Sequence, residues 1–402
     1  HPDLYEILTH TEGVVVFHEQ VIQIIATMTG VSLATADEKR RSLGDRAGQQ
    51  EVCDWFFPAA TAKGYELSVV QEIWDVLRAF ASFGFCKAHA AAFAMPTYQS
   101  AWLKTHYPAA FFSGVLTHDP GMYPKRLIVD EVRQMGITIA PLDVNASDSV
   151  YRVEDHGNAI RIALSTVAGI SDGEVQSIIA GRPYIDLNDF VRRSGSSTPV
   201  TESMILTGAF DALHADVNRR DLLLHFSDLQ KSPGMAVSGA QMNLGFDPPA
   251  LISSGLPAMT AAESVKYEVD RLGIDMSRHM IEFYGDFLNA IGAVRSSDLL
   301  KQRSQSSVLV AGIKVAMQTP PVRSGKRVIF VTLDDGYGLS DSTFFTDVQG
   351  EYANVLYSTS LLLVRGVTRR TGAKGISIRA TGAWDLRAAY ESWSTKQSTL
   401  AI

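Results

Sequence analysis

A lysine and a histidine stand two positions apart in Phe83-Gly-Phe-Cys-Lys87-Ala-His89-Ala-Ala-Ala-Phe93, at the start of a stretch of helical composition. The first N–H groups of a helix lack partners within it and the dipole adds positive potential, so Lys87 and His89 are placed to take an anion, phosphate above all. The same residues equally describe a solvated lysine and a histidine capping a packed helix. Lys39-Arg40-Arg41 falls inside another helical stretch, where adjacent cations point in different directions and only one or two can face a common ligand. Alone it reads as a solvated face. Combined with Lys87 and His89, Arg40 and Arg41 would suit a triphosphate, because arginine grips phosphate oxygens as a fork while lysine supplies a point charge.

Two glycine turns could serve a nucleic-acid backbone. Val167-Ala-Gly169-Ile170-Ser171-Asp-Gly-Glu has the form of a helix-hairpin-helix unit, whose Gly-apolar-Gly turn lets backbone amides reach a phosphate, with Ser171 replacing the second glycine. A weaker unit is Leu206-Thr-Gly208-Ala-Phe210-Asp211, followed by Asn218-Arg-Arg220. Two ordinary helix turns account for these residues as well. Farther on, Lys314, Arg323, Lys326, Arg327, Arg365, Arg369, Arg370 and Lys374 lie among Phe330, Tyr337, Phe344 and Phe345, the mixture of cations and aromatic faces that single-stranded DNA uses. The cations are the stronger candidates, especially Arg369-Arg370, expected in a turn before Gly372. Some of the aromatics must fill the core.

Other chemistries find no support. No closely spaced Asp-x-Asp follows an apolar strand as a two-metal site would require, and Asp334-Asp335 reads as turn chemistry. The ten histidines form no HxH or HExxH pair, and no P-loop occurs. No catalytic or metal-binding residue is therefore assigned, and a hydrolase using scattered His and Asp has no supporting spacing. Cys53 and Cys86 suggest neither a disulfide framework nor a zinc knuckle, which fits a reducing, cytoplasmic setting.

The elements that must hold these residues differ along the chain. Its 402 residues suggest two to three domains. Val14, Phe17, Val21, Ile24, Ile25 and Met28 recur at helical spacing up to Gly30, and Val69, Val70, Ile73, Trp74, Leu77 and Phe80 repeat it, so residues 1–118 read as all-helical. A helix is expected around Lys125–Met135, then an extended stretch whose Pro141 suits an edge or linker. Residues 150–230 carry short helices broken by glycine turns, and Ser232–Pro257 reads as a mobile loop. From Val308 the period changes to alternation, with strands at 308–315, 327–333, 342–346, 360–367 and 375–381, the count of an oligonucleotide-binding (OB) barrel. The fold class is multidomain α + β. Net charge is −7, yet residues 296–402 hold 13 basic against 8 acidic groups, so this C-terminal quarter is the part attractive to a polyanion. No apolar run suggests a membrane partner. With His1 in place of an initiator Met, the chain is expected to be a piece of a longer polypeptide.

The order of motifs resembles the bacterial family C DNA polymerases, the replicative DNA polymerase III alpha subunit and its error-prone, damage-tolerance paralogue. The likeness rests on Gly13-Val-Val-Val-Phe17-His-Glu19-Gln20-Val, Ala36-Asp-Glu-Lys-Arg40-Arg41-Ser-Leu-Gly44, Gly84-Phe-Cys-Lys87-Ala-His89-Ala-Ala-Ala-Phe93-Ala, Tyr98-Gln-Ser-Ala-Trp-Leu-Lys104-Thr-His-Tyr107-Pro108 and Pro141-Leu-Asp143-Val-Asn145. It implies that 1–118 is the C-terminal part of the fingers, 119–149 a connecting segment, 150–295 a tandem helix-hairpin-helix and clamp-binding-like region, and 296–402 an OB domain. Incoming-nucleotide contacts would fall on Arg40, Arg41, Lys87 and His89, and DNA contacts on Gly169, Ile170, Ser171, Gly208, Lys314, Lys326, Arg327, Arg369 and Arg370. The family often has Asn and Ser where Cys86 and Ala88 stand, and Lys where Asp45 stands.

By the same likeness, the palm aspartates that hold Mg²⁺ lie outside this sequence, so the chain carries no cofactor and should not polymerise DNA alone. Gln241-Met-Asn-Leu244-Gly-Phe246 resembles a sliding-clamp peptide in spacing, with Gly245 interrupting its apolar anchors, so the clamp is expected to bind weakly or indirectly. The end at Ile402 and Thr117-His-Asp-Pro-Gly-Met-Tyr-Pro-Lys-Arg126 favour the ImuC-type branch, with mutasome accessory proteins, deoxynucleoside triphosphates, primer-template and single-stranded DNA as partners. The competing reading is a non-catalytic DNA-binding or mutasome-assembly module.

Overall fold

Helical stripes and glycine stops shape the first of two units, His1–Trp102 and Leu103–Ile402, into which the chain divides in the computed structural model. The structure describes residues 1–80, 84–119, 121, 123–231, 250–320 and 327–400, with side chains to 396. In the first unit, helix His18–Thr29 buries Val21, Ile24, Ile25 and Met28, and Gly30 ends it with a left-handed φ of 75°. Ser32 and Asp45 cap the helices Leu33–Ser42 and Arg46–Ala62 with their side chains. These pack with helix Leu67–Phe80 around Phe56, Trp74 and Leu77. Helix Lys87–His106 begins within this unit.

In the second unit, helices Pro108–His118 and Lys125–Gln134 adjoin a small sheet of β1 (Thr138–Ala140), β2 (Arg152–Glu154) and β3 (Ala159–Arg161). β1 runs parallel to β3 at the sheet's edge, the position Pro141 suggested. Residues 119–149, expected as a connector, add Ile128, Val129, Val132, Leu142 and Val144 to one core shared with Tyr184, Phe190, Phe210 and Ile274. Around that core lie helices Asp172–Ala180, Leu187–Arg193, Thr198–Leu206, Arg219–Lys231 and Ala261–Leu272. Part of the expected mobile loop is tied down: Ser254 donates from its amide to Asp221 at 3.0 Å, and Leu251 packs against the core. Its clamp-like residues Gln241, Leu244 and Phe246 lie outside the described residues.

The C-terminal part is a closed five-stranded barrel of β4 (Ser307–Gln318), β5 (Ile329–Asp334), β6 (Leu339–Phe344), β7 (Leu361–Arg370) and β8 (Ile376–Asp385), in the order β4-β5-β6-β8-β7. β6 meets β8 in parallel, which closes the barrel, and helix Thr346–Ser358 connects β6 to β7. Val310, Val331, Leu333, Phe344, Leu362, Val364 and Ile378 fill the interior. This is the OB-type barrel expected from the strand count.

Candidate nucleic-acid interface

The fingers-like cations already have partners within the chain. Arg40 Nε and Arg41 Nε donate to the two oxygens of Asp37 at 2.8 and 2.9 Å, and Lys39 Nζ reaches Glu51 at 3.1 Å. At the start of helix Lys87–His106, the Lys87 amide donates to both Glu19 carboxylate oxygens, at 3.0 and 2.9 Å. Burial would raise the Glu19 pKa, but this amide, aided by further hydrogen bonds, holds it below the usual range. Lys87 Nζ lies 6.0 Å from the centre of the Phe17 ring, and His89 packs between Phe85 and Phe93. The helix start therefore does attract an anion, and Glu19 supplies it.

The two hairpin turns differ in access. Gly169 adopts φ +81°, and a Cβ there would meet nothing within 4 Å, so the backbone is open to approach. Ser171 then caps helix Asp172–Ala180 in a capping box with Glu174, whose carboxylate also accepts from Ser197 N–H at 2.9 Å. The Ser171 and Ser197 N–H groups pull the Glu174 pKa down to about 2. Gly208, at φ +86°, is covered: a Cβ would lie 2.2 Å from Arg219 Nη2, and Arg219 is held by Asp211 and the Leu206 carbonyl.

On the barrel, several sequence expectations change. Phe344 is fully buried and cannot stack on a base, whereas Phe330, Tyr337 and Phe345 are exposed. Arg369 and Arg370 are not in a turn; they end β7, paired with Ser377 and Ile376 of β8, because the ladder runs on to the residue before Thr371. Arg370 is engaged by the Leu300 and Gln302 carbonyls, while Arg369 is exposed and makes no such bond among the described residues. Lys314 Nζ donates to the Leu356 carbonyl at 2.5 Å, near the end of helix Thr346–Ser358, and burial lowers its pKa. Arg327 is exposed at the entry to β5; Arg323 and Lys326 lie outside the described residues. Arg365, exposed on β7, stacks over Trp384, 5.3 Å from its centre. Among the described residues, exposed cations stand at the entry to β5 (Arg327) and at the β7–β8 connection (Arg369, Arg370 and Lys374), and Phe330 is exposed on β5; the corresponding connections and strand face are those with which OB barrels contact oligonucleotides.

Sequence spacing gave no sign of a buried cluster between the barrel and the helices of the second unit. Asp130 on helix Lys125–Gln134, His279 before the 3₁₀ turn Met280–Tyr284, and Asp334 at the end of β5 are each at most 3% exposed. Their inward atoms lie within 4.8 Å of one another. Burial drives the Asp130 pKa well above the carboxylate range. Burial also opposes ionisation of Asp334 and protonation of His279, but each outweighs that for the other: Asp334 falls and His279 rises. The residues are 149 and 55 positions apart, so only tertiary structure unites them. Asp335, by contrast, does the turn chemistry expected of it, accepting from Tyr337 N–H and from both donors of Ser296.

A helical unit, a helix-hairpin-helix core and a closed OB-type barrel follow one another in a multidomain α + β chain. Residues 1–64 match the bacterial DNA polymerase III alpha subunit finger domain, and residues 136–222 the helix-hairpin-helix motif. The chain is 32% identical to an error-prone DNA polymerase of Symbiobacterium thermophilum, over 94% of this chain and 39% of that protein. It is 30% identical to a DNA polymerase III subunit alpha of Vibrio cholerae, over 98% of this chain and 36% of the relative. An error-prone DNA polymerase of Bdellovibrio bacteriovorus is 28% identical over 93% of the chain and 37% of its own length. The chain is thus a relative of the bacterial family C DNA polymerases, as its motifs indicated, and spans less than two-fifths of the length of these relatives.

Proposed function

We propose that this chain is the DNA-engaging C-terminal portion of an error-prone, DNA-directed DNA polymerase that serves damage-tolerant synthesis in the cytoplasm. The observation that carries the reading is the exposure of Arg327 at the entry to β5, of Arg369 and Lys374 at the β7–β8 connection, and of Phe330 on β5. Single-stranded template would cross this face, while a duplex phosphate would approach the open backbone at Gly169, with Ile170 and Ser171 flanking it and their amides held by the Val167 carbonyl and Glu174. Arg40, Arg41, Lys87 and His89 would position a deoxynucleoside triphosphate, with Asp37 and Glu19 yielding their cations and helix start to it. In-line nucleotidyl transfer would be assisted by Mg²⁺ held by a palm elsewhere in the whole enzyme. Mutasome proteins would recruit it, with a weak or indirect clamp contact. The internal pairing of Arg40, Arg41 and the Lys87 amide favours a second reading, a non-catalytic DNA-binding and assembly module.

Fluorescence anisotropy over a salt series tests the DNA part. Salt-sensitive binding that prefers single-stranded or junction DNA is expected, and Arg369→Gln should make the salt slope shallower by about 0.7, the value of one phosphate contact on a single strand. No binding at low salt would overturn it. In the full-length enzyme, neutralising Arg40, Arg41 and Lys87 separates the two readings: lost nucleotide affinity with retained DNA affinity supports the polymerase, and unchanged incorporation kinetics supports the module.

A further inference from the structure

We propose that Asp130, His279 and Asp334 form a proton-dependent latch between the barrel and the helices of the second unit, which holds one proton between its two carboxylates when closed and gives it up on opening. Each carboxylate has one oxygen committed and one turned inward. Asp130 Oδ1 accepts from Arg133 Nη1 at 2.8 Å, and Asp334 Oδ1 from the Gly336 amide at 2.9 Å. The remaining atoms, Asp130 Oδ2, Asp334 Oδ2 and His279 Nε2, are buried without a hydrogen-bond partner among the described residues. His279 Nε2 faces both oxygens at 3.6 and 3.5 Å, beyond good hydrogen-bond distance. Two ionised carboxylates sharing one buried pocket repel strongly, and a proton shared between them removes that repulsion.

The ring of His279 decides what stabilises the cluster. Its Nδ1 accepts from the Ile281 amide at 3.3 Å, so the neutral ring carries its hydrogen on Nε2, toward the carboxylates. Two carboxylates and an imidazole could ligate a divalent cation, but a metal on Nε2 would move the ring hydrogen to Nδ1, against the Ile281 N–H. An imidazolium would meet the same N–H. The Ile281 N–H on Nδ1 thus places the proton on the carboxylate pair, against the neighbouring carboxylates that raise the His279 pKa, and the elevated Asp130 pKa agrees with that placement.

The surrounding charges act in both senses: the neighbouring acids favour the proton and the arginines oppose it. Arg133 also holds the Asp275 and Met276 carbonyls, Arg126 stands on the same helix, and Glu268 accepts from Ser277 N–H at 2.8 Å. Asp275 and Glu268 are themselves buried acids with raised pKa values, so the junction concentrates carboxylates against two arginines. Asp275 also lines a cavity of about 520 Å³ with Arg126, Met280 and Lys314.

A folded-state pKa raised above the unfolded value contributes stability that is complete at acid pH and is lost as pH rises toward the folded pKa. In the full chain, hydrogen exchange of the Gly336 amide, corrected for intrinsic rates, should report a latch-opening constant that rises by up to about tenfold per pH unit between about pH 4.5 and 7 and then levels. Asp130→Asn, an uncharged mimic of the protonated acid, should flatten this profile and open less than the parent at pH 8; Asp334→Asn provides the same test should Asp130→Asn fail to fold. A flat parental profile, or an unchanged slope in a folded variant, would overturn the latch. So would a rise in melting temperature with zinc chloride that a chelator reverses, which would make the cluster a metal site.

Discussion

At Lys87 the chain satisfies its own helix start, and the consequence is measurable. Glu19→Ala removes an acceptor that spans the Lys87 amide, and the loss expected for such a cap is about 1 kcal/mol by urea denaturation. If this start also receives nucleotide phosphates, the same variant should bind tripolyphosphate more tightly by calorimetry; unchanged affinity would detach Lys87 from that role. Gly336 is constrained for another reason. Its φ is +81°, and a Cβ would lie 2.8–3.0 Å from the His279 ring, so Gly336→Ala must strain the turn and push the ring aside. The expected destabilisation is about 1–3 kcal/mol in the same denaturation experiment; a neutral substitution would contradict the close packing of this turn on His279.

Among the elements, helix Asp172–Ala180 shows how far local signals reach. Ser171 and Glu174 stand in the capping-box spacing, and the structure closes that box. Because the Glu174 pKa is lowered to about 2, its contribution is present above the ordinary value near 4.5 and is lost as pH falls from there toward 2. Glu174→Gln should therefore lower stability near pH 6 yet converge with the parent near pH 2 in thermal scans across that range. Strand alternation from Val308 onward, the glycine stop at Gly30 and the edge position near Pro141 were legible for the same local reason. The end of β7 was not. Arg369 and Arg370 look like turn residues beside Thr371-Gly372, and only pairing with Ser377 and Ile376 keeps them in the ladder. Phe344 likewise looks like its exposed neighbour Phe345 until barrel closure turns one inward.

Across the whole molecule, legibility falls as sequence separation grows. The cations near the barrel connections could be found from the sequence because they cluster along the chain, whereas Asp130, His279 and Asp334 share no spacing and meet only because three distant elements pack together. Asp37, which pairs with Arg40 and Arg41, and Glu19, which takes the Lys87 amide, were not identifiable as partners without the folded helices. DNA engagement by the barrel and the first hairpin turn is the property on which the proposed function depends. Hydrogen-exchange mass spectrometry of the chain with and without a primer-template carrying a single-stranded overhang tests it most directly. Slowed exchange is expected in β5, at the β7–β8 connection and around 167–172, reduced for the barrel segments by Arg369→Gln. Tight binding that leaves all three segments unprotected would contradict it.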